Sequence, residues 1–414
     1  MKKIVAIFLV FLGSLWAEDP VIDVVNSGVV LPKIIVKDNS NLSDENLKKS
    51  FYNIIVNDLK VSSNFEVVAN ATETSNYIFE YTLNKNGNTL SLNVKIKAGG
   101  SDKSEQTYTL NGLEQYPFLA HKSVKASVNA LGLAPVDWMD HKILIARNSS
   151  SKKSQIIMAD YTLTYQKVIV DGGLNLFPKW GNKEQTLFYY TAYDHDKPTL
   201  YRYDLNTNKA SKILSSGGMV VASDVNVDGS KLLVTMAPKD QPDVYLYDLN
   251  TKNLTQLTNY SGIDVNGNFI GSDDSKVVFV SDRLGYPNIF MQDLNSNSAE
   301  QVVFHGRNNS AVSTYKDFLV YSSREPNQAG VFNIYLMSIN SDYIRQLTAN
   351  GKNLFPRFSS DGGSIVFIKY LGAQSALGVI RVNANKTFYF PLRVGKFNQL
   401  IGKNFNFRLK LIKN

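Results

Sequence analysis

The chain has 414 residues, is 43% apolar and 19% charged, and carries a formal charge of +8 with no cysteine. That length allows two or three domains, each with a core of its own. The missing cysteines exclude a disulfide framework, a lipid-bearing cysteine and any cysteine-based metal site.

Residues 1–17 read as a cleaved export signal. Lys2 and Lys3 form a positive start, Ile4 to Gly13 an apolar run, and Leu15-Trp16-Ala17 a cleavage site. The run falls short of the ~20 residues a spanning helix needs, and no later stretch replaces it, so the mature chain is not expected to span a membrane. Removal of the signal leaves a charge of +6, mild for this size, and export argues against a nucleic-acid partner. The next segment, Glu18-Asp19-Pro20-Val21-Ile22-Asp23, is acidic with an apolar alternation. It suits a frayed end or an edge strand, and the alternative is a peptide that adds to a partner's sheet.

Residues 18–135 predict a small α/β domain. Val21–Val25 and Lys33–Val36 are β-branched and strand-like. Leu42–Leu59 has helical spacing of Leu47, Phe51, Ile54, Ile55 and Leu59, with Asn41 or Ser43 as cap. Phe65–Val68 is a short strand. Tyr77–Leu83 and Leu90–Ile96 flank Asn86-Gly87-Asn88, a hairpin signal, and Tyr108 and Leu110 suggest another strand. Pro117–Leu131 reads as a second helix, stopped by Gly132 and Pro135.

From residue 136 to 414 the chain repeats. One line recurs as Ile157-Met158-Ala159-Asp160, Tyr201-Arg202-Tyr203-Asp204, Tyr245-Leu246-Tyr247-Asp248, Phe290-Met291-Gln292-Asp293 and Tyr335-Leu336-Met337-Ser338, in steps of 44, 44, 45 and 45. A looser copy follows at Val379–Val382. Turn signals at Asp228-Gly229, Asp273-Asp274, Asp317 and Asp361-Gly362 keep the same period. So do Asn175-Leu176-Phe177-Pro178 against Asn353-Leu354-Phe355-Pro356, and Gln256-Leu257-Thr258 against Gln346-Leu347-Thr348. Strand-rich repeats of this length are the signature of propeller blades. The count is six, with four strands per unit. The first unit lacks an inner strand, which Phe397–Leu411 is expected to supply, closing the ring. The cations of that tail, Arg393 to Lys413, read as a solvated face or guarded edge.

No catalytic constellation stands out. There is no G-x-S-x-G elbow, no H-E-x-x-H and no phosphate loop. His121, His141, His195 and His305 are scattered, and read as surface or satisfied structural side chains. No metal or cofactor is expected. The Asn-Phe-Pro segments differ from ordinary blade sequence. They are expected in turns entering the inner strands, at one mouth of the channel, together with Met219–Ala222, Ile263–Asn266 and Arg307–Ser310. Loops from all blades converge on such a mouth, which makes it a natural docking surface.

An export signal, a small α/β domain and six such blades together resemble the TolB family, the periplasmic component of the Tol–Pal system. Phe177-Pro178-Lys179-Trp180, Asp228-Gly229-Ser230-Lys231-Leu232, Asp282-Arg283 with Asn288-Ile289-Phe290, Tyr247-Asp248-Leu249 and Gln346-Leu347-Thr348 carry the likeness. Gly181–Gln185 and Tyr315–Asp317 lack the family's Pro-Asp-Gly turn, and the tail lacks its Pro-x-Trp-Ser-Pro strand. The resemblance implies a non-enzymatic, monomeric adaptor in the periplasm. The mature N-terminus, Glu18, Asp19, Pro20, Val21, Ile22 and Asp23, would bind the inner-membrane protein TolA. The mouth would bind the lipoprotein Pal, through Met219, Val220, Val221, Ala222, Asp264, Val265 and Asn266, with Asn308 and Asn353 on the same rim. Outer-membrane integrity and constriction at division would be the output, and outer-membrane proteins and bacteriocins further partners. The alternative is an exported propeller that binds or cleaves a glycan or peptide.

Overall fold

The computed structural model describes residues 21–24, 30–69, 75–150, 152–193, 196–324, 326–327, 329–371 and 374–391, the first four by backbone alone. The expected export signal and the tail strand at 397–411 lie outside the described residues. Strand β1 (Val21–Val24) belongs by pairing to the propeller. The α/β domain holds β2 (Lys33–Asp38), α1 (Glu45–Ser62), β3 (Glu66–Val67), β4 (Tyr77–Asn86), β5 (Thr89–Ala98), β6 (Ser101–Asn111) and α2 (Tyr116–Ala130). Its sheet runs β3-β2-β4-β5-β6, parallel around β2 and antiparallel from β4 onward.

Period-2 alternation sorts the faces. Leu90, Leu92, Val94 and Ile96 of β5 are buried against the helices. The other face is wet, and Glu80 there takes Lys97 at 2.8 Å and Lys37 at 3.3 Å. Helix α1 starts three residues later than expected. Asp44 caps it, accepting from Leu47 N at 3.1 Å, and Leu42 before it turns into the core. Ser63 ends it in the left-handed region. Gly132 does the same service after α2, at φ +63°.

Six blades follow. The first has three described strands, Ile143–Ser150, Lys153–Ala159 and Gln166–Val170. The next four begin with inner strands Asn175–Trp180, Val220–Val225, Asp264–Ile270 and Arg307–Tyr315. The sixth runs Lys352–Phe358, Ser364–Leu371, Gln374–Arg381 and Lys386–Pro391.

The recurring motifs have local causes. At the Asp-Gly turn, Asp228 accepts from Ser230 N at 2.8 Å while Gly229 takes φ +75°. In Gln-Leu-Thr, the leucine is buried and the threonine clamps the start of the third strand. Thr258 Oγ1 accepts from Val244 N at 2.9 Å, and Thr348 Oγ1 from Ile334 N at 2.9 Å. Blades are also stitched to their neighbours at one recurring inner-strand position. Asp224 accepts from Phe269 N at 3.0 Å, Arg357 donates to Val312 O at 3.3 Å, and Lys179 pairs with Asp224 at 2.7 Å.

The two domains share one core. Tyr161, Leu377, Val379, Phe388 and Phe390 from blades 1 and 6 pack with Trp138, Met139 and the helices. Inside it, His121 bridges two carboxylates, its Nδ1 2.7 Å from Asp58 and its Nε2 3.2 Å from Asp160. Tyr161 donates to the other oxygen of Asp58. All three ionisable groups of the bridge are fully buried. Burial pulls the imidazolium down, but Asp58 and Asp160 outweigh it and push its pKa up to about 10. Burial raises Asp58, against the pull of His121. His121 is thus a satisfied structural histidine, as its isolation in the sequence suggests.

Candidate functional site: one mouth of the propeller

Antiparallel alternation places the start of every inner strand, the hairpin between second and third strands, and the crossover between blades at one end of the propeller. The inner strands of successive blades contact one another. The mouth residues expected from sequence therefore do gather at one end. Their settings differ from the expectation, because Asn175–Pro178 and Asn353–Pro356 lie inside the inner strands rather than in turns before them.

The inner strand of blade 5 slips register against its neighbour twice, between Arg307 and Ser310 and between Ser310 and Ser313, and those of blades 2, 3, 4 and 6 slip once each. The single breaks fall between Leu176 and Lys179, Ala222 and Asp224, Val265 and Asn268, and Leu354 and Arg357. Such bulges re-aim side chains. Phe177, Asn266 and Phe355 sit there at φ +55°, +56° and +58°. Left-handed backbone costs a non-glycine residue about 1–2 kcal/mol, and least for asparagine. Phe-Pro is thus the bulge itself, with the proline free of any need to donate at that point.

Burial divides the predicted contacts. Val220, Ala222, Asp264 and Asn353 are buried; Met219, Val221, Val265, Asn266 and Asn308 are half-buried. Asn353 is a latch: its Nδ2 donates to Phe332 O and Asn350 O, both at 3.0 Å. Asn175 holds Gly172 O and Ser154 O in the same way. Asp264 occupies this latch position in blade 4, where a carboxylate cannot donate. Arg283 meets it instead at 3.0 Å, among the rings of Tyr260, Phe279 and Phe290. These buried residues hold the mouth in shape, Val265 packs in part against the core between blades 4 and 5, and Met219, Val221, Asn266 and Asn308 keep part of their surface open.

The N-terminal peptide is placed in part. Glu18, Asp19 and Pro20 lie outside the described residues. Val21, Ile22 and Asp23 belong to β1, which pairs antiparallel with the outer strand of blade 6, Val21 opposite Tyr389 and Val24 opposite Lys386. Residues 21–24 are thus an edge strand on the chain's own propeller.

Sequence reading missed the exposed apolar rim. Phe304 is 79% and Leu284 55% exposed. Phe304 sits in a blade-to-blade crossover between Val303, which is buried, and His305, whose ring centre lies 4.3 Å from that of Tyr335 at a tilt of 49°. Nothing in the repeat period separates such a residue from the core positions beside it.

Residues 140–399 match the family model described as PD40, the TolB beta propeller domain. The chain is 99% identical over 400 residues to the Tol-Pal system protein TolB of Campylobacter jejuni, covering 97% of this chain and 100% of that one. The chain belongs to the TolB family. The TolB of Wolinella succinogenes is 44% identical over 412 residues, covering 94% of this chain and 97% of its own. In fold, the crystal structure of TolB from Acinetobacter baumannii superposes with a TM-score of 0.75 at 20% identity, over 90% of this chain and 97% of that one. Membership of the TolB family ties the chain to the Tol–Pal system and implies protein partners within it.

Proposed function

We propose that this chain is a non-enzymatic periplasmic adaptor that links the inner-membrane protein TolA to the lipoprotein Pal. Its N-terminal peptide, residues 18–23, engages TolA. The propeller mouth engages Pal, through the half-buried Met219, Val221, Val265, Asn266 and Asn308. The buried Val220, Ala222, Asp264 and Asn353 act by holding that surface in place. The output is outer-membrane integrity and constriction during division, and some bacteriocins exploit the protein for entry.

The observation that carries this reading is the gathering, at one mouth, of inner-strand bulges whose non-glycine residues hold left-handed backbone. Strain of this kind persists where the surrounding structure over-determines it, and it collects at binding sites. A rigid mouth offers a pre-organised docking surface, which lowers the ordering cost of association.

The test is a calorimetric titration of residues 18–414 against the soluble domain of Pal, repeated after deletion of residues 18–23. Saturable binding that an Asn266→Arg change abolishes is expected. Saturable binding indifferent to Asn266→Arg would move the site off the mouth, and no binding would remove the adaptor reading. A change of affinity on deleting the peptide would mean that the two partner sites are coupled.

A further inference from the structure

The mouth end is not electrically uniform. Strand register carries one row across blades 5 and 6 at this end. Arg307 pairs with Arg324, Arg324 with Phe332, Phe332 with Lys352, and Lys352 with Tyr370. Arg307 and Arg324 are exposed and Lys352 half-buried. No carboxylate of the described residues forms an ion pair with any of the three. At the same end of blades 2 and 3, by contrast, exposed Asp196 and Asp240 offset exposed Lys197 and Lys239, whereas the sequence sets one acid, Glu325 after Arg324, against the three cations.

An apolar step adjoins the cationic row. Phe304 and Leu284 stand on the crossover and hairpin that flank Tyr286, and the Arg307 guanidinium lies 5.6 Å from the Tyr286 ring centre. The crossover is tied to the hairpin, Asn309 N donating to Pro287 O at 3.0 Å and Asn309 Nδ2 to Asn288 Oδ1 at 2.9 Å. The step is therefore held in place.

We propose that this row and step form a docking surface for an acidic protein segment, with partner carboxylates on Arg307, Arg324 and Lys352 and an apolar partner side chain on Phe304 and Leu284. Guanidinium groups with no carboxylate partner among the described residues can take carboxylates in bidentate geometry. Charge at the rim of an interface speeds and orients encounter, while an adjacent exposed phenylalanine supplies area to bury. An anionic glycan fits less well. Of the rings beside the cations, Tyr286 is covered by Arg307 and Tyr370 by Lys352, which leaves Phe304 to carry a sugar ring where a glycan site would stack several. The proposal refines the docking reading of the mouth but can fail or stand apart from it.

The experiment uses the full mature chain and three probes: a peptide alternating glutamate and leucine, an alginate oligomer, and the soluble domain of Pal. Titrations are run at low and at physiological salt. An Arg307→Glu/Arg324→Glu variant is expected to bind the peptide about tenfold or more weakly and to lose most of the salt dependence. Phe304→Ser is expected to weaken binding while keeping the salt dependence, and Lys197→Glu/Lys239→Glu to change neither. Equal peptide binding by the arginine variant, or none by the unmodified chain, overturns the proposal. Tighter capture of alginate than of peptide through the same arginines overturns its choice of a protein occupant. If Pal fails to bind while the peptide binds through the arginines, the Pal reading falls and the docking surface stands.

Discussion

Replacing His121 with alanine strands two carboxylates in the shared core of the domains. Asp58 loses a partner at 2.7 Å and Asp160 one at 3.2 Å, and each carboxylate is fully buried. Removing one member of a buried charged set costs about 3–5 kcal/mol, because what remains is an uncompensated charge. That is a large share of the ~5–15 kcal/mol that holds a typical domain together. Trp138 reports on the site, since its ring lies 4.9 Å from that of Tyr161, which donates to Asp58. Urea unfolding of His121→Ala followed by tryptophan fluorescence should therefore show the loss. Adding Asp58→Asn should return part of it, because it removes one of the stranded charges. The pH dependence has a definite sign. The folded pKa of His121 is raised to about 10, above the usual 6.5. Its contribution to stability is present in full below about 6.5, declines above it, and is lost as pH rises through about 10. Asp58 runs the other way: burial raises it, so its ionised form costs stability above the ordinary carboxylate range. A His121→Ala loss below about 1 kcal/mol at neutral pH would refute the charged bridge, since that is less than the cost of even one unsatisfied buried polar group.

Two further substitutions test the blade architecture. Arg283→Leu should cost about 3–5 kcal/mol by leaving Asp264 buried and unpaired. Asp264→Asn in that background should recover most of it, because asparagine serves the same latch at Asn175 and Asn353; equal chemical-denaturation midpoints for the single and double variants would disprove the latch. Gly378→Ala would set a methyl group 2.2 Å from Phe367 Cε1, inside a ring that is 1% exposed. The overpacking should cost about 1–3 kcal/mol, and an unchanged melting temperature would show that blade 6 is looser than this packing implies.

The blades were legible because their cause is local and repeated. Asp228, Gly229 and the Tyr-Leu-Tyr-Asp line each fix a turn or a strand within a few residues, so period alone recovers them. The α/β domain was legible for the same reason, with the α1 cap misplaced because Asn41, Ser43 and Asp44 are all competent caps. The bulges were not legible, since a register slip is a relation between two strands. Nor was the bridge through His121, whose partners lie 63 residues upstream and 39 downstream. Asp264 was expected as a mouth contact for Pal, and nothing near it in sequence announces its buried pairing with Arg283, 19 residues on. Exposed residues such as Phe304 share the apolar alphabet of the core, and only the fold tells them apart.

The N-terminal strand bears on all of these, because of where its partner strand points. β1 pairs by backbone with Lys386–Tyr389 of blade 6. On that strand Phe388 and Phe390 face the shared core with Trp138 and Tyr161, while Tyr389 faces blade 6 and packs on Phe367 at 6.1 Å. Peptide, domain junction and blade 6 are therefore contiguous, and blade 6 also carries Lys352 of the cationic row. Contiguity becomes coupling only when an element has two states that both sites bias. Removal of residues 18–24 supplies the second state directly, by exposing the edge of 386–389 within the strand 386–391. Edge amides there should lose hydrogen-exchange protection, since an unpaired edge bonds only to water. If the strand also steadies the junction, protection should fall at Trp138 and Tyr161 as well, and affinity at the mouth should shift with it. Loss confined to 386–391 would mean that the peptide merely covers an edge. Unchanged protection throughout would mean that β1 does not hold this edge in solution, and the route from peptide to mouth would have to be sought elsewhere.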